Sequence, residues 1–102
     1  MIYLKRGDTL TLLITRKDSD GLPLTGEASK LSSQIRDNND LLIGSFIITE
    51  TLDLGTYLFM ISSNLTQDFP TSTLYFDIEY DDGVKVESSD TIMLLVKKDV
   101  TI

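Results

Sequence analysis

Apolar and polar residues alternate along most of this chain, and clusters of Gly, Asp, Asn, Ser or Pro interrupt the alternation at short intervals. A period of two marks a strand with one buried face, and frequent turn clusters give the spacing of a sandwich or barrel. Seven or eight strands are predicted. Ile2 to Lys5 is short. Thr9 to Arg16 sets Leu10, Leu12 and Ile14 on one face and Thr9, Thr11 and Thr15 on the other, with Leu13 interrupting the polar face and predicting its partial cover. Gly55 to Ile61 alternates Tyr57, Phe59 and Ile61 against Leu58 and Met60, so both faces are apolar and a central strand is predicted. The cleanest amphipathic strand holds Leu74, Phe76, Ile78 and Tyr80 on its inner face and Tyr75, Asp77 and Glu79 on its outer face.

The remaining elements follow from turn chemistry. Asp18-Ser19-Asp20-Gly21 is a turn, because Asp and Ser bond nearby backbone and Gly accepts a positive φ. Leu22 to Gly26 runs extended, since Pro23 fixes its own φ and disfavours the helical region at Leu22. Ala28 to Arg36 reads as one half-buried strand, and Asp37-Asn38-Asn39-Asp40 turns it into a partner over Leu41 to Thr49. Ser63 to Asp68 is the one helical turn, with Asn64 as cap, Gln67 three residues on, and Pro70 ending it. Asp81-Asp82-Gly83 leads into Val84 to Glu87, and Thr91 to Lys97 is the last strand. One-sided strands need a second apolar layer. The fold class is therefore all-β, an antiparallel sandwich in a single domain spanning 1–102; a small closed barrel is the alternative.

Composition narrows the chemistry. At 102 residues, folding buries roughly 60 to 70% of the surface the unfolded chain exposes, enough for one core. Neither Cys nor His is present, which removes disulfides, thiolate metal sites and the side chain that titrates near neutral pH. Nine Lys and Arg against sixteen Asp and Glu give a net charge of -7, so the chain should repel nucleic acid. No apolar run approaches the ~20 residues of a membrane helix, and Met1 to Lys5 does not begin a secretory signal. No nucleic-acid or membrane partner is expected.

Short motifs reduce to structure. Arg6-Gly7-Asp8 has the letters of an integrin-binding tripeptide, but a turn between two strands explains all three residues. Asp77, Glu79, Asp81 and Asp82 line one strand and the turn after it; carboxylates two apart on a strand point out in a row and do not wrap an ion, so a solvated acidic face is expected. No nucleophile and base pair up, and a glycosidase cleft has no room here. Asn64-Leu65-Thr66 fits a glycosylation acceptor without a secretory signal to use it. Tyr3, Tyr57, Tyr75 and Tyr80 sit on strands and are expected in core or half-core positions. No enzyme activity is expected, nor any catalytic, cofactor or metal site.

Five segments in order resemble a family: Lys5 to Leu12; Asp18-Ser19-Asp20-Gly21-Leu22-Pro23-Leu24-Thr25-Gly26; Leu65-Thr66-Gln67-Asp68-Phe69-Pro70; Leu74 to Glu79 with Asp81 and Gly83; and Lys98-Asp99-Val100-Thr101. Together they look like the small immunoglobulin-like structural domains of tailed bacteriophages and prophages, similar to the N-terminal domains of baseplate upper proteins. The chain departs from that pattern at Ser72-Thr73-Leu74, where the family often has Gly, and compresses its "L-T-G-A" segment to Leu24-Thr25-Gly26-Glu27-Ala28. The resemblance implies an immunoglobulin-like β-sandwich and a virion structural protein of the tail or baseplate, assembled in the host cytoplasm. Other phage structural proteins, or a second copy in a homo-oligomer, would be its partners. A carbohydrate- or host-surface-binding module is the alternative.

Overall fold

The strongest alternation in the sequence, around Leu74 and Phe76, lies at the centre of the largest sheet. The computed structural model describes residues 1–98, so the Asp99-Val100-Thr101 end of the resemblance lies outside the described residues. Among the described residues the chain is all-β apart from one 3₁₀ turn at Ala28–Lys30 and one helical turn, α1 (Ser63–Thr66). Its strands are β1 (Ile2–Lys5), β2 (Leu10–Thr15), β3 (Leu31–Ser32), β4 (Gln34–Arg36), β5 (Leu42–Ser45), β6 (Ile47–Glu50), β7 (Thr56–Ile61), β8 (Thr73–Phe76), β9 (Glu79–Asp81), β10 (Val86–Ser88) and β11 (Ile92–Lys97). They form three sheets, ordered β1-β11-β8-β4-β5, β10-β9-β3 and β2-β7-β6. All neighbours are antiparallel except β1 and β11, the first and last strands, which run parallel. Among the described residues each sheet ends in two edge strands, so none closes on itself as a barrel requires.

The eleven strands among the described residues exceed the seven or eight expected, because three continuous apolar patterns are each divided in two. The Ala28–Arg36 pattern breaks at Ser33, and the Leu74–Tyr80 pattern breaks opposite it at Asp77 and Ile78. Pairing runs from Leu31 with Tyr80 to Ile35 with Phe76 without an inserted residue, so the break bends the pair and leaves its register alone. Side chains replace the missing ladder bonds. The buried Ser33 hydroxyl donates to the Asp77 carbonyl at 2.6 Å, and the Ile78 amide donates to Ser89 Oγ at 2.9 Å. The third division is a change of sheet: β5 lies in the five-stranded sheet and β6 in the β2-β7-β6 sheet, and Phe46 between them turns into the core. Its ring lies 5.8 Å from Phe59 on β7 and 5.2 Å from Phe76 on β8, joining the two sheets.

The core follows the alternation. Leu10, Tyr57, Phe59, Ile61, Leu74, Phe76, Leu94 and Val96 are buried, and Leu12, Ile14, Ile78 and Tyr80 pack against them. As expected, β7 is central in its sheet. Two expectations of burial are corrected: Leu13 is 66% exposed, because no described residue covers the outer face of β2, and Tyr3 is 63% exposed at an edge, its ring 4.8 Å from the Lys97 ammonium. The helical turn is capped differently as well. Ser62, in extended conformation, is its N-cap in place of Asn64, and no side chain bonds the cap. The turn is tied down by Thr66, whose buried hydroxyl donates to the Asp8 carbonyl at 2.7 Å.

The Leu22–Glu27 crossover is held by side chains from the β2-β7-β6 sheet. The Tyr57 hydroxyl donates to the Leu24 carbonyl at 2.7 Å and accepts from the Glu27 amide at 3.1 Å. The Glu50 carboxylate accepts from the Gly26 amide at 2.9 Å and the Gly55 amide at 3.0 Å. Gly55 has φ +84, and a Cβ there would come within 2.7 Å of Pro23 Cβ, so glycine is required on both counts. Arg16 completes the clasp. It pairs with Glu27, and its guanidinium stands 4.5 Å over the Tyr80 ring.

Two substitutions test this account. Phe76→Ala removes a ring wedged between sheets and should cost about 3–5 kcal/mol in chemical denaturation; a loss below about 1 kcal/mol would contradict its place in the core. Tyr57→Phe keeps the buried ring but strands the Leu24 carbonyl and the Glu27 amide, and should cost about 1–3 kcal/mol with no change of fold by circular dichroism.

Candidate functional site

The outer face of the β2-β7-β6 sheet is set by the register of its central strand. Because Tyr57, Phe59 and Ile61 point inward, Leu58 and Met60 point outward, where they are only half-buried. Pairing places Leu13 and Thr49 on either side of Leu58, and Thr11 and Ile47 on either side of Met60. Beyond them the Thr15 and Thr56 hydroxyls lie 3.1 Å apart. Leu13 and Ile47 are 66% and 62% exposed, so the face presents leucine, isoleucine, methionine and threonine to solvent. The one charged residue in these strands is Glu50, whose carboxylate is occupied by the Gly26 and Gly55 amides. An uncharged face on a chain of net charge -7 has the character of a surface suited to a partner.

The same sheet has an open edge. The Arg16 amide donates to the Gly55 carbonyl at 2.8 Å, just beyond the Thr15–Thr56 pair. By antiparallel alternation, Leu10, Leu12 and Ile14 bond β7, and the N–H and C=O groups of Thr11, Leu13 and Thr15 face outward. Among the described residues β2 pairs with β7 alone. The other edges carry devices that discourage pairing: β1 ends in Lys5, β5 contains Gly44 and beside it Ile43 as an extra residue relative to β4, β6 ends in Glu50, β10 contains Glu87, and β3 has two residues. Strand β2 is longer than these, with no charge, proline or bulge.

The motifs singled out in the sequence lie elsewhere. Arg6-Gly7-Asp8 is a turn between the sheets: the Arg6 amide donates to the Lys97 carbonyl, the Asp8 amide donates to the Lys5 carbonyl, and Gly7 has φ +96. Asp18 and Asp37 open turns of one design, each carboxylate accepting from the amides two and four residues on. Asp77, Glu79 and Asp81 are exposed, and among the described residues no group of three carboxylates is placed to hold a metal ion. An open polar groove of about 740 Å³ crosses the bend between β4 and β8, lined in part by Gln34, Arg36, Tyr75, Asp77 and Glu79. Its polar groups are partly spent on each other, since the Arg36 guanidinium donates to Gln34 Oε1 and the Asp40 carbonyl. No helix among the described residues is long and apolar enough to cross a membrane.

Among the described residues, Tyr80 and Asp82 are displaced from their ordinary pKa. Burial, and then the neighbouring Glu27 carboxylate, push the Tyr80 hydroxyl above its ordinary pKa. At the β9–β10 turn, the amides of Lys85 and Val84 donate to the Asp82 carboxylate and hold it below its ordinary value. A depressed carboxylate stabilises the fold at pH above its unfolded pKa and loses that contribution as pH falls through the folded one. The Val84 and Lys85 amide resonances should therefore titrate with a midpoint below the ~3.9 of an unstructured Asp; a midpoint at or above it would contradict the turn geometry. Compared with known proteins, the chain matches no family model and no curated sequence.

Proposed function

We propose that the chain is an immunoglobulin-like sandwich module of a tailed bacteriophage or prophage, a non-enzymatic tail or baseplate component that works in the virion through protein–protein contacts. The observation that carries the reading is the uncharged outer face of the β2-β7-β6 sheet on an otherwise acidic chain. Strand order supports the immunoglobulin-like assignment: first and last strands lie parallel at one side of a five-stranded sheet, and a shorter sheet shares its core. So does the resemblance of the Gly7-Asp8, Asp20-Gly21-Leu22-Pro23 and Phe76-Asp77-Ile78 segments to phage domains.

The alternative, a carbohydrate-binding module, is favoured by the polar groove beside Tyr75. No Trp is available to stack a sugar ring, and the groove's guanidinium is already engaged. The two readings separate experimentally. A protein–protein module binds a purified tail or baseplate protein of the same phage or forms a defined oligomer, and it is detected in purified particles. A chain that stays monomeric, binds none of these proteins and is absent from particles would overturn the proposal, and specific glycan binding abolished by Tyr75→Ala would favour the alternative.

A further inference from the structure

We propose that two copies of the chain pair through β2, antiparallel about a two-fold axis at Leu13, to form one continuous six-stranded sheet ordered β6-β7-β2-β2-β7-β6. This rests on the reading of the chain as an interaction module and names one partner, a second copy.

Backbone geometry sets the pairing. In antiparallel pairing centred on Leu13, Leu13 faces its own copy and Thr11 faces Thr15. These are the residues whose N–H and C=O groups point away from β7, so the register satisfies all of them with six backbone hydrogen bonds. Among the described residues the edge is clear along this length. The Leu22–Leu24 segment bonds Arg16 and Asp18, on the β7 side of the chain, and so extends the place of β7 without covering the open side.

Side-chain order selects a second copy over an unrelated strand. Thr11-Leu12-Leu13-Ile14-Thr15 has nearly the same character in both directions, which a two-fold interface requires because each residue meets its mirror position. Threonine would oppose threonine on the outer face, a favourable cross-strand pair, and Leu12 would oppose Ile14 on the inner face, extending the core. A one-residue slip would oppose inward and outward side chains and is excluded. Charge points the same way. Acidic copies repel each other, and Leu10 to Thr15 lets them approach without bringing charged strand residues together.

The test uses the full chain in sedimentation equilibrium over a concentration series, where a reversible dimer is expected. Leu13→Lys places two ammonium groups across the axis on an exposed face, so it should raise the dimer Kd about tenfold or more while leaving the circular dichroism spectrum unchanged. Ile47→Lys, equally exposed on the same face but at the far edge, should leave Kd within about twofold. The chain has no Cys, so Leu13→Cys provides a single thiol that a short bis-maleimide should join into a covalent dimer, whereas Ile47→Cys should not be joined. Equal loss of dimer in both lysine variants, or cross-linking at position 47 and not at 13, would mean that faces stack and would overturn edge pairing. A strictly monomeric chain that still binds a tail or baseplate protein overturns this pairing alone. One that binds neither and is missing from particles overturns the functional reading with it.

Discussion

The Tyr57 hydroxyl is the contact on which the arrangement of the β2-β7-β6 sheet depends. Its ring is wholly buried, and its oxygen reaches the crossover that leaves β2, donating to Leu24 and accepting from Glu27. A crossover has no ladder to satisfy its backbone, and polar groups left unpaired there would cost as much as several favourable contacts contribute. One oxygen that both donates and accepts closes two such groups and fixes where the chain turns toward β3. Glu50 does the same with two amides from opposite sides of the clasp, at Gly26 and Gly55. The charge of Glu50 is thereby turned inward, which leaves the outer face of its sheet free of charge.

The same economy recurs wherever a strand is interrupted. Ser33 bonds the Asp77 carbonyl, Ser89 serves the Ile78 amide, and Thr66 ties α1 to Asp8, each a short hydroxyl at a point where the ladder fails. Between β10 and β11 the device is a bulge: from Ser88 to Ile92 the chain takes one step more than its partners take from Glu79 to Phe76. The small β10-β9-β3 sheet is thus the bent continuation of the five-stranded one, and Phe46 joins the opposite sheet to it through ring contacts on both sides.

Much of this was legible in the chain. Alternation identified the inward residues of β2, β7 and β8, and two-sided apolarity identified β7 as central. The divisions at Ser33, Phe46 and Asp77 were not legible, because alternation continues through them and a bend or change of sheet is decided by contacts distant in sequence. Asn64 matched a capping pattern that Ser62 fills instead, since the helical turn is positioned by Thr66 and not by its cap. The candidate surface was half visible. The absence of charge from Leu10 to Thr15 is plain, but sequence order carries no sign that β2 would be an edge, and Leu13 was expected to be partly covered because it interrupts a polar face.

Parallel pairing of β1 with β11 has a mechanical consequence. Ile2 lies beside Leu94 and Lys5 beside Lys97, so the polypeptide enters and leaves this edge travelling in one direction. Tension applied between the two ends pulls the strands lengthwise past each other. The rungs of the pair then carry the load together, in shear, instead of opening one after another like a zipper. A module built this way resists stretching along its own strands more than peeling across them.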